Sequence, residues 1–358
     1  MEYNCEINFS GRKLSINEPA YFIADVASNH DGDLERAKDL IWLAKDAGAD
    51  AVKFQHFLAD KIVSDYGFRN LGQQVGHQAG WKKSVYEVYK ECECHRDWNQ
   101  VLAETAKEAQ IDFLTTPYDI EAVEGIDSYV NAYKIGSGDI TWTDFIGYVA
   151  RKNKPVFLAT GAADIEDVER AVSTILRFNK DIVLMQCNTN YTGSIDNLKY
   201  VNLNVLKCYA EKYPDMLLGL SDHTPGHVTV LGAIALGARV IEKHFTSDNS
   251  RVGPDHAFSM NPATWREMID RTRQLEAALG SGVKTVEQNE KETVIVQQRC
   301  LRLKRSICAG TILQADDIEA LRPAPCGAYK PYQIDEVVGR PVLTDMCAGQ
   351  EVYPADLG

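Results

Sequence analysis

No stretch of the 358-residue chain approaches the roughly 20 consecutive apolar residues of a membrane span, so no transmembrane helix is expected. Positive charge is scarce: 38 Lys and Arg stand against 51 Asp and Glu, a formal net charge of −13. Such a chain has no global attraction for nucleic acid or anionic membranes, and any anion it binds must be held by a local cluster of donors. A disulfide framework is missing as well. Nine cysteines, an odd number scattered from Cys5 to Cys347, read as free thiols in a reducing cytoplasm. The opening residues Met1 to Glu6 have no basic segment with an apolar stretch behind it, so no secretory leader is expected. The densest thiol group, Cys92-Glu93-Cys94-His95, lacks a second ligand pair and reads as a partly exposed helix start, not a metal site.

What is present is an ordinary globular composition, 45% hydrophobic and 25% charged, in a chain about twice the usual domain length. Short apolar and β-branched runs recur at Tyr21 to Val26, Ala51 to Gln55, Asp112 to Thr116 and Ala132 to Gly136. Four more follow at Pro155 to Thr160, Ile182 to Asn188, Leu217 to Asp222 and Val240 to Thr246. Longer segments with helical spacing separate them; Leu34, Ala37, Leu40, Ile41 and Ala44 predict an amphipathic helix ending near Gly48. Eight strand-then-helix units predict an α/β fold, a (β/α)₈ TIM barrel, over residues 1–280. An open doubly wound sheet is the alternative, but Val26 to Gly32 is not the Gly-rich turn such a sheet carries after its first strand. Residues 281–300 turn polar and read as a linker; residues 301–358, punctuated by Gly and Pro, read as a small β-rich domain.

In a TIM barrel the chemistry sits at the C-terminal strand ends. Reactive side chains collect there: Asp25, Asn29 and His30, then Lys53 and Gln55, then Thr115 and Thr116. Lys134, Ser137 and Asp139 follow, then Asn188, Thr189 and Tyr191, then Ser221, Asp222 and His223, and finally Glu242, Lys243 and His244. Strand alternation puts Glu242 and His244 on one face and Lys243 on the other. Two lysines with several hydroxyls suit a phosphate; both sit inside otherwise apolar strand runs, which favours that reading over rim lysines satisfied by carboxylates. His223 and His244, on neighbouring strands at equal depth, could place two imidazoles on one divalent metal. His30 could instead cap the next helix, and His256 is either a supporting residue or an exposed one.

These segments resemble the sialic acid synthase family, whose members condense phosphoenolpyruvate with an N-acetylated mannosamine-type sugar. The matching stretches are Ser28-Asn29-His30-Asp31-Gly32, Gly48 to Gln55, Thr116-Pro117 and Tyr133 to Gly138. Gly219 to Thr224, Glu242 to Thr246, Gly253-Pro254-Asp255 and the tail with Arg322-Pro323 complete the set, the tail resembling the family's antifreeze-like (SAF) domain. The resemblance implies that Lys53, Lys134, Thr116, Ser137 and Ser221 hold phosphoenolpyruvate, and that His223 and His244 hold a divalent cation, Mn²⁺ or else Mg²⁺ or Co²⁺. It assigns Gln55, Tyr191 and Asp255 to the sugar, and Arg322 to a contact made across a domain-swapped homodimer. The implied reaction joins C3 of phosphoenolpyruvate to the sugar aldehyde and releases phosphate by C–O cleavage, with no nucleic acid or membrane partner.

The sequence departs from the family at Asp25 and Asp139, where glutamate is usual, and at Ala159, where a phosphate-contacting serine is expected. Around Cys187 to Tyr191 the ligand contact falls to either Asn188 or Thr189. The acceptor is N-acetylmannosamine, its 6-phosphate or a diacetamido-trideoxy sugar leading to legionaminic- or pseudaminic-type acids, with an unphosphorylated sugar preferred for want of a further basic cluster. Competing readings are an eight-carbon ketosugar phosphate synthase, a Schiff-base aldolase using Lys53 or Lys134, and a non-catalytic sugar-binding protein.

Overall fold

A computed structural model describes residues 2–73 and 76–358, which form two compact units, Met1–Gly280 and Ser281–Gly358. The first unit opens with a hairpin of β1 (Glu6–Phe9) and β2 (Arg12–Ser15). Eight parallel strands follow: β3 (Tyr21–Asp25), β4 (Ala51–His56), β5 (Asp112–Pro117), β6 (Tyr133–Ile135), β7 (Val156–Ala159), β8 (Ile182–Cys187), β9 (Leu217–Asp222) and β10 (Ala238–His244). They close into a barrel in sequence order, with β10 pairing back onto β3 through His244 opposite Asp25. This is the (β/α)₈ barrel expected from the alternation of runs. The runs were legible because strands buried on both faces are almost continuously apolar.

The first crossover helix, Leu34–Asp46, forms where the apolar spacing places it. Asp33 caps it by accepting from the backbone N–H of Glu35 and Arg36, and Ala37, Leu40, Ile41 and Ala44 are buried. It ends at Gly48, whose φ of +94° lies in the left-handed region and whose missing Cβ leaves room for Ile269 3.2 Å away. His30 therefore caps nothing; it is fully buried, edge-on to Trp98, and its Nδ1 accepts from Gly32 N–H.

The hairpin was not anticipated. Ile7, Phe9 and Leu14 join the interior residues Tyr21, Ala51, Phe157 and Val183 in one buried cluster, with Phe9 edge-on to Tyr21 and Phe157. It plugs the barrel at the N-terminal ends of the strands, leaving the C-terminal ends for the site. A second unanticipated feature lies between β4 and the helix Asn99–Glu108. The chain there runs through short helices Ala59–Ile62, Asp65–Asn70 and Val85–Glu91. Cys92 closes the last of these, Glu93 is buried and accepts from Ala59 N–H, and Cys94 is buried. The group at 92–95 thus joins two helices: half-buried Cys92 ends the one that the capping box of Ser84 and Glu87 begins, and Glu93 and Cys94 are buried. Exposed His95 stands at the start of the short helix Arg96–Trp98, the partly exposed start that was expected.

The second unit pairs β11 (Cys300–Leu303) with β12 (Ile318–Leu321) around a core that includes Leu301, Leu303, Leu313, Val337, Val342 and Val352. The stretch 281–300 is more than a linker: it holds the helix Lys291–Gln297, tied in where Ala324 N–H donates to the Ile295 carbonyl, and Cys300 already belongs to β11. No helix among the described residues is long and apolar enough to cross a membrane.

Candidate active site

The C-terminal strand ends surround a cavity of about 440 Å³. Its floor is an alternating row of buried charges. Lys53 Nζ lies 2.7 Å from Asp25 Oδ2 and donates to Thr116 Oγ1 at 2.8 Å; Lys134 Nζ lies 2.6 Å from Glu242 Oε1 and 3.3 Å from Ser221 Oγ. Glu242 is also 4.0 Å from Lys53, which links the two pairs, and its Oε2 has no hydrogen-bond partner. Gln55 Nε2 donates to Asp25 Oδ2 at 3.0 Å. Burial alone would raise the carboxyl of Asp25, but the adjoining Lys53 ammonium and then His244 outweigh it and hold it down at about 2. The two lysines thus have carboxylate partners, and they also face the cavity.

Beside the floor is a small cradle. Gly161 N–H donates to Ser137 Oγ at 2.9 Å, and a Cβ on Gly161 would stand 2.6 Å from Thr189 Oγ1 and 2.9 Å from Ser137 Oγ. A side chain there would fill the cradle. Ala159 lines the cavity without a hydroxyl, at the position where the family resemblance led to a serine. The choice between Asn188 and Thr189 is made by the turn after β8. Thr189 lines the cavity, whereas Asn188 Nδ2 turns to the Tyr200 carbonyl and is not brought into the site.

Asn188 contributes through its backbone. Its carbonyl lies 2.9 Å from His223 Nδ1; a carbonyl only accepts, so that nitrogen carries the proton and Nε2 keeps a lone pair. The His223 and His244 rings are 5.1 Å apart, bracketed by Tyr191, 4.3 Å from His223, and Phe258, 5.0 Å from His244. His244 Nε2 is 3.7 Å from Asp25 Oδ2, and its buried Nδ1, 3.8 Å from Asp255 Oδ2, has no hydrogen-bond partner. Asp255 is held by the Ser28 hydroxyl at 2.6 Å. Two imidazoles with available nitrogens beside two carboxylates fit a divalent cation. Among the described residues, however, no group of three or more His, Cys, Asp or Glu side chains is drawn together closely enough to hold a metal ion by itself, so these side chains offer donors and not a complete ligand set.

Behind the barrel, buried Lys243 bonds to Asp222 and donates to the Thr224 carbonyl at 2.6 Å, while Thr229 Oγ1 bonds to Asp222 at 2.8 Å. This clamp fixes the turn on which His223 sits. His256 is fully buried between Thr246 Oγ1 and Asp31 Oδ1, each within 2.8 Å, so it supports the loop that carries Asp255. Arg322 is exposed in the second unit.

Asp139 also lines the cavity, its Oδ2 buried without a partner, and burial raises its carboxyl to about 6. The folded state thus keeps a proton that the unfolded chain releases near pH ~4. The stability this contributes is present at low pH and lost as pH rises through about 6. Asp139→Asn, which cannot ionise, is expected to gain stability relative to the parent between about pH 4.5 and about pH 7.5. Urea unfolding at both values checks it, and a difference that does not change with pH would contradict the desolvated carboxylate.

Most of the residues that sequence reasoning missed come from the excursion after β4, where Phe57, Ile62, Trp81, Val88, Tyr89 and Cys92 line the cavity; Tyr118, just after β5, is another. No strand-end rule points to them. Residues 40–284 match the NeuB family and residues 298–358 the SAF domain. The N,N'-diacetyllegionaminic acid synthase of Legionella pneumophila is 33% identical over 352 residues, covering 95% of this chain and 97% of the relative. The N-acetylneuraminate-9-phosphate synthase of Homo sapiens is 30% identical, covering 93% of this chain and 91% of the relative. The crystal structure of N-acetylneuraminic acid synthetase from Leptospira borgpetersenii in complex with citrate has a TM-score of 0.71 at 28% identity, covering 82% of this chain and 96% of that one. A barrel with its site at the strand ends, and matches that span almost the whole length, make this chain a member of the NeuB family, the nonulosonic acid synthases, with a SAF domain following the barrel.

Proposed function

We propose that the chain is a metal-dependent synthase that condenses phosphoenolpyruvate with an unphosphorylated N-acetylmannosamine-type sugar. The observation that carries this reading is the floor of alternating charges, Asp25, Lys53, Glu242 and Lys134, lying beneath two imidazoles. Lys53 and Lys134 are placed to hold the carboxylate and phosphate of phosphoenolpyruvate, with Thr116, Ser137, Thr189 and Ser221 supplying hydroxyls. His223 and His244 would hold a divalent cation of the Mn²⁺ type, Mg²⁺ or Co²⁺ being alternatives, and the cation would polarise the sugar aldehyde as a Lewis acid. C3 of phosphoenolpyruvate then bonds to the aldehyde carbon. Water adds at C2, and phosphate departs with its bridging oxygen, so C–O and not P–O is broken. Asp25, kept ionised beside Lys53, is positioned to orient or deprotonate that water. Gln55, Tyr191 and Asp255 border the space left for the sugar. Nine free cysteines and a phosphorylated small-molecule substrate fit a cytoplasmic setting.

The test is phosphate release from phosphoenolpyruvate with Mn²⁺, offering N-acetylmannosamine, its 6-phosphate and diacetamido-trideoxy hexoses in parallel with a chelator control. Release that needs both sugar and metal supports the reading; release with neither sugar nor metal, or none at all, removes it. The same reading includes a swapped homodimer in which Arg322 of one subunit completes the other's site. Mixing Arg322→Ala with His244→Ala is then expected to restore about a quarter to half of the parent activity in mixed dimers, as one intact site is rebuilt per pair. Verified mixed dimers without activity would exclude the swap.

A further inference from the structure

The turn that leaves β3 grips both carboxylates that flank His244. Asp25 Oδ1 accepts from Ala27 N–H at 3.0 Å, while its Oδ2 lies 3.7 Å from His244 Nε2. Ala27 then carries the chain through the left-handed region with φ 49°, a conformation uncommon outside glycine. Ser28, the next residue, is thereby brought against the loop after β10. Its N–H and its hydroxyl both donate to Asp255 Oδ2, at 3.2 and 2.6 Å. That oxygen stops 3.8 Å from His244 Nδ1, beyond hydrogen-bond reach, and the nitrogen stays buried without a partner.

The backbone around Asp255 is anchored independently of Ser28. Arg251 and His256, on either side of it in sequence, bond to Asp31 at 2.7 and 2.8 Å. The Asp255 carbonyl accepts from Ser259 Oγ at 2.7 Å, and Asn29 Nδ2 in turn donates to that Oγ at 2.9 Å. Ser28 therefore decides where the carboxylate points and not where the loop runs. By occupying Oδ2 it leaves Oδ1 for a ligand in the cavity that both residues line.

Resting on the synthase reading above, we propose that Ser28 is a positioning residue, which keeps the Asp255 carboxylate off His244 and presents its free oxygen to a hydroxyl of the acceptor sugar. A neutral imidazole can carry its proton on Nδ1, so without the serine the orphaned nitrogen becomes the nearest donor to Asp255. The carboxylate then closes on the ring and is lost to the acceptor. Holding it in advance spares the acceptor the cost of pulling it away.

The experiment measures kcat and both KM values by phosphate release in Ser28→Ala, Asp255→Ala and the double variant, with whichever sugar the parent consumes. Ser28→Ala is expected to raise KM for the sugar about tenfold and to leave KM for phosphoenolpyruvate within about twofold. In the Asp255→Ala background the same change is expected to cost nothing further, because Ser28 acts through Asp255. Losses that multiply mean that Ser28 acts on the acceptor directly or elsewhere, and overturn the inference; so does an unchanged sugar KM, or an equal rise in both KM values. Crystal structures of the parent and Ser28→Ala read the same geometry without turnover. In the variant the carboxylate is expected within about 3 Å of His244 Nδ1, and an unmoved carboxylate overturns the inference whatever the kinetics. If the parent consumes no sugar, the synthase reading fails. The positioning of Asp255 by Ser28 is then decided by the crystal structures alone, a displaced carboxylate supporting it.

Discussion

His244→Ala is expected to lower kcat by about three orders of magnitude while changing unfolding free energy by no more than about 1 kcal/mol. The two effects separate because of where the ring sits. It lies between Tyr191 and Phe258 but borders the cavity, so its removal enlarges an existing space instead of opening a sealed void. Its Nδ1 has no hydrogen-bond partner to strand, and Asp25 retains Lys53 and Gln55. What the variant does lose is one of two imidazole donors. A Lewis acid contributes several kcal/mol to stabilising developing charge on a carbonyl oxygen, and about 1.4 kcal/mol corresponds to a tenfold rate change. Mn²⁺ affinity, followed by electron paramagnetic resonance, is expected to fall with the rate. Full turnover of His244→Ala after chelator treatment would remove the metal from the reading.

The barrel was readable because each of its strands is buried on both faces, and eight such runs separated by helical spacing admit few other closures. The β1–β2 hairpin escaped because its strands have only four residues each. Its signal was nonetheless present: Ser10-Gly11, with φ of 49° and 76°, is a tight-turn pair flanked by Phe9 and Leu14 pointing inward. Residues at the site were legible in proportion to how directly the strands carry them. Lys53, Lys134, His223 and His244 lie on or next to strand ends, so the alternation of strand faces placed them. Thr189 and Asn188 lie in a turn whose backbone path decides which side chain enters the cavity, and residue type alone did not reveal that path. The apolar residues that the excursion after β4 brings to the cavity were invisible for a related reason. Ile62 and Val88 belong to short helices and Trp81 to the irregular stretch between them; their placement at the cavity is a tertiary fact, and single apolar residues there look like ordinary packing.

Lys134→Met is expected to fail in two ways that a second substitution separates. In the single variant Glu242 keeps only Ser221 and the more distant Lys53, 4.0 Å away, so a buried carboxylate loses its main partner. Burial acts to raise that carboxyl, and Lys134 foremost, with Lys53, holds it below its ordinary value. Removing one member of a buried pair costs about 3–5 kcal/mol of stability, whereas replacing both members by neutral groups is often nearly free. Lys134→Met with Glu242→Gln is therefore expected to recover most of the stability in urea unfolding. Catalysis should not recover with it. Loss of one preorganised cation from an anion site costs about 10²–10³ in kcat/KM, and the glutamine cannot supply the missing charge. A double variant that is stable and still turns over phosphoenolpyruvate like the parent would show that the row of charges is architecture alone. The expected outcome, a restored fold with a disabled site, assigns two tasks to Glu242 and Lys134. In the free protein the carboxylate satisfies a buried ammonium; when phosphoenolpyruvate arrives, the same ammonium is already desolvated, oriented and charged.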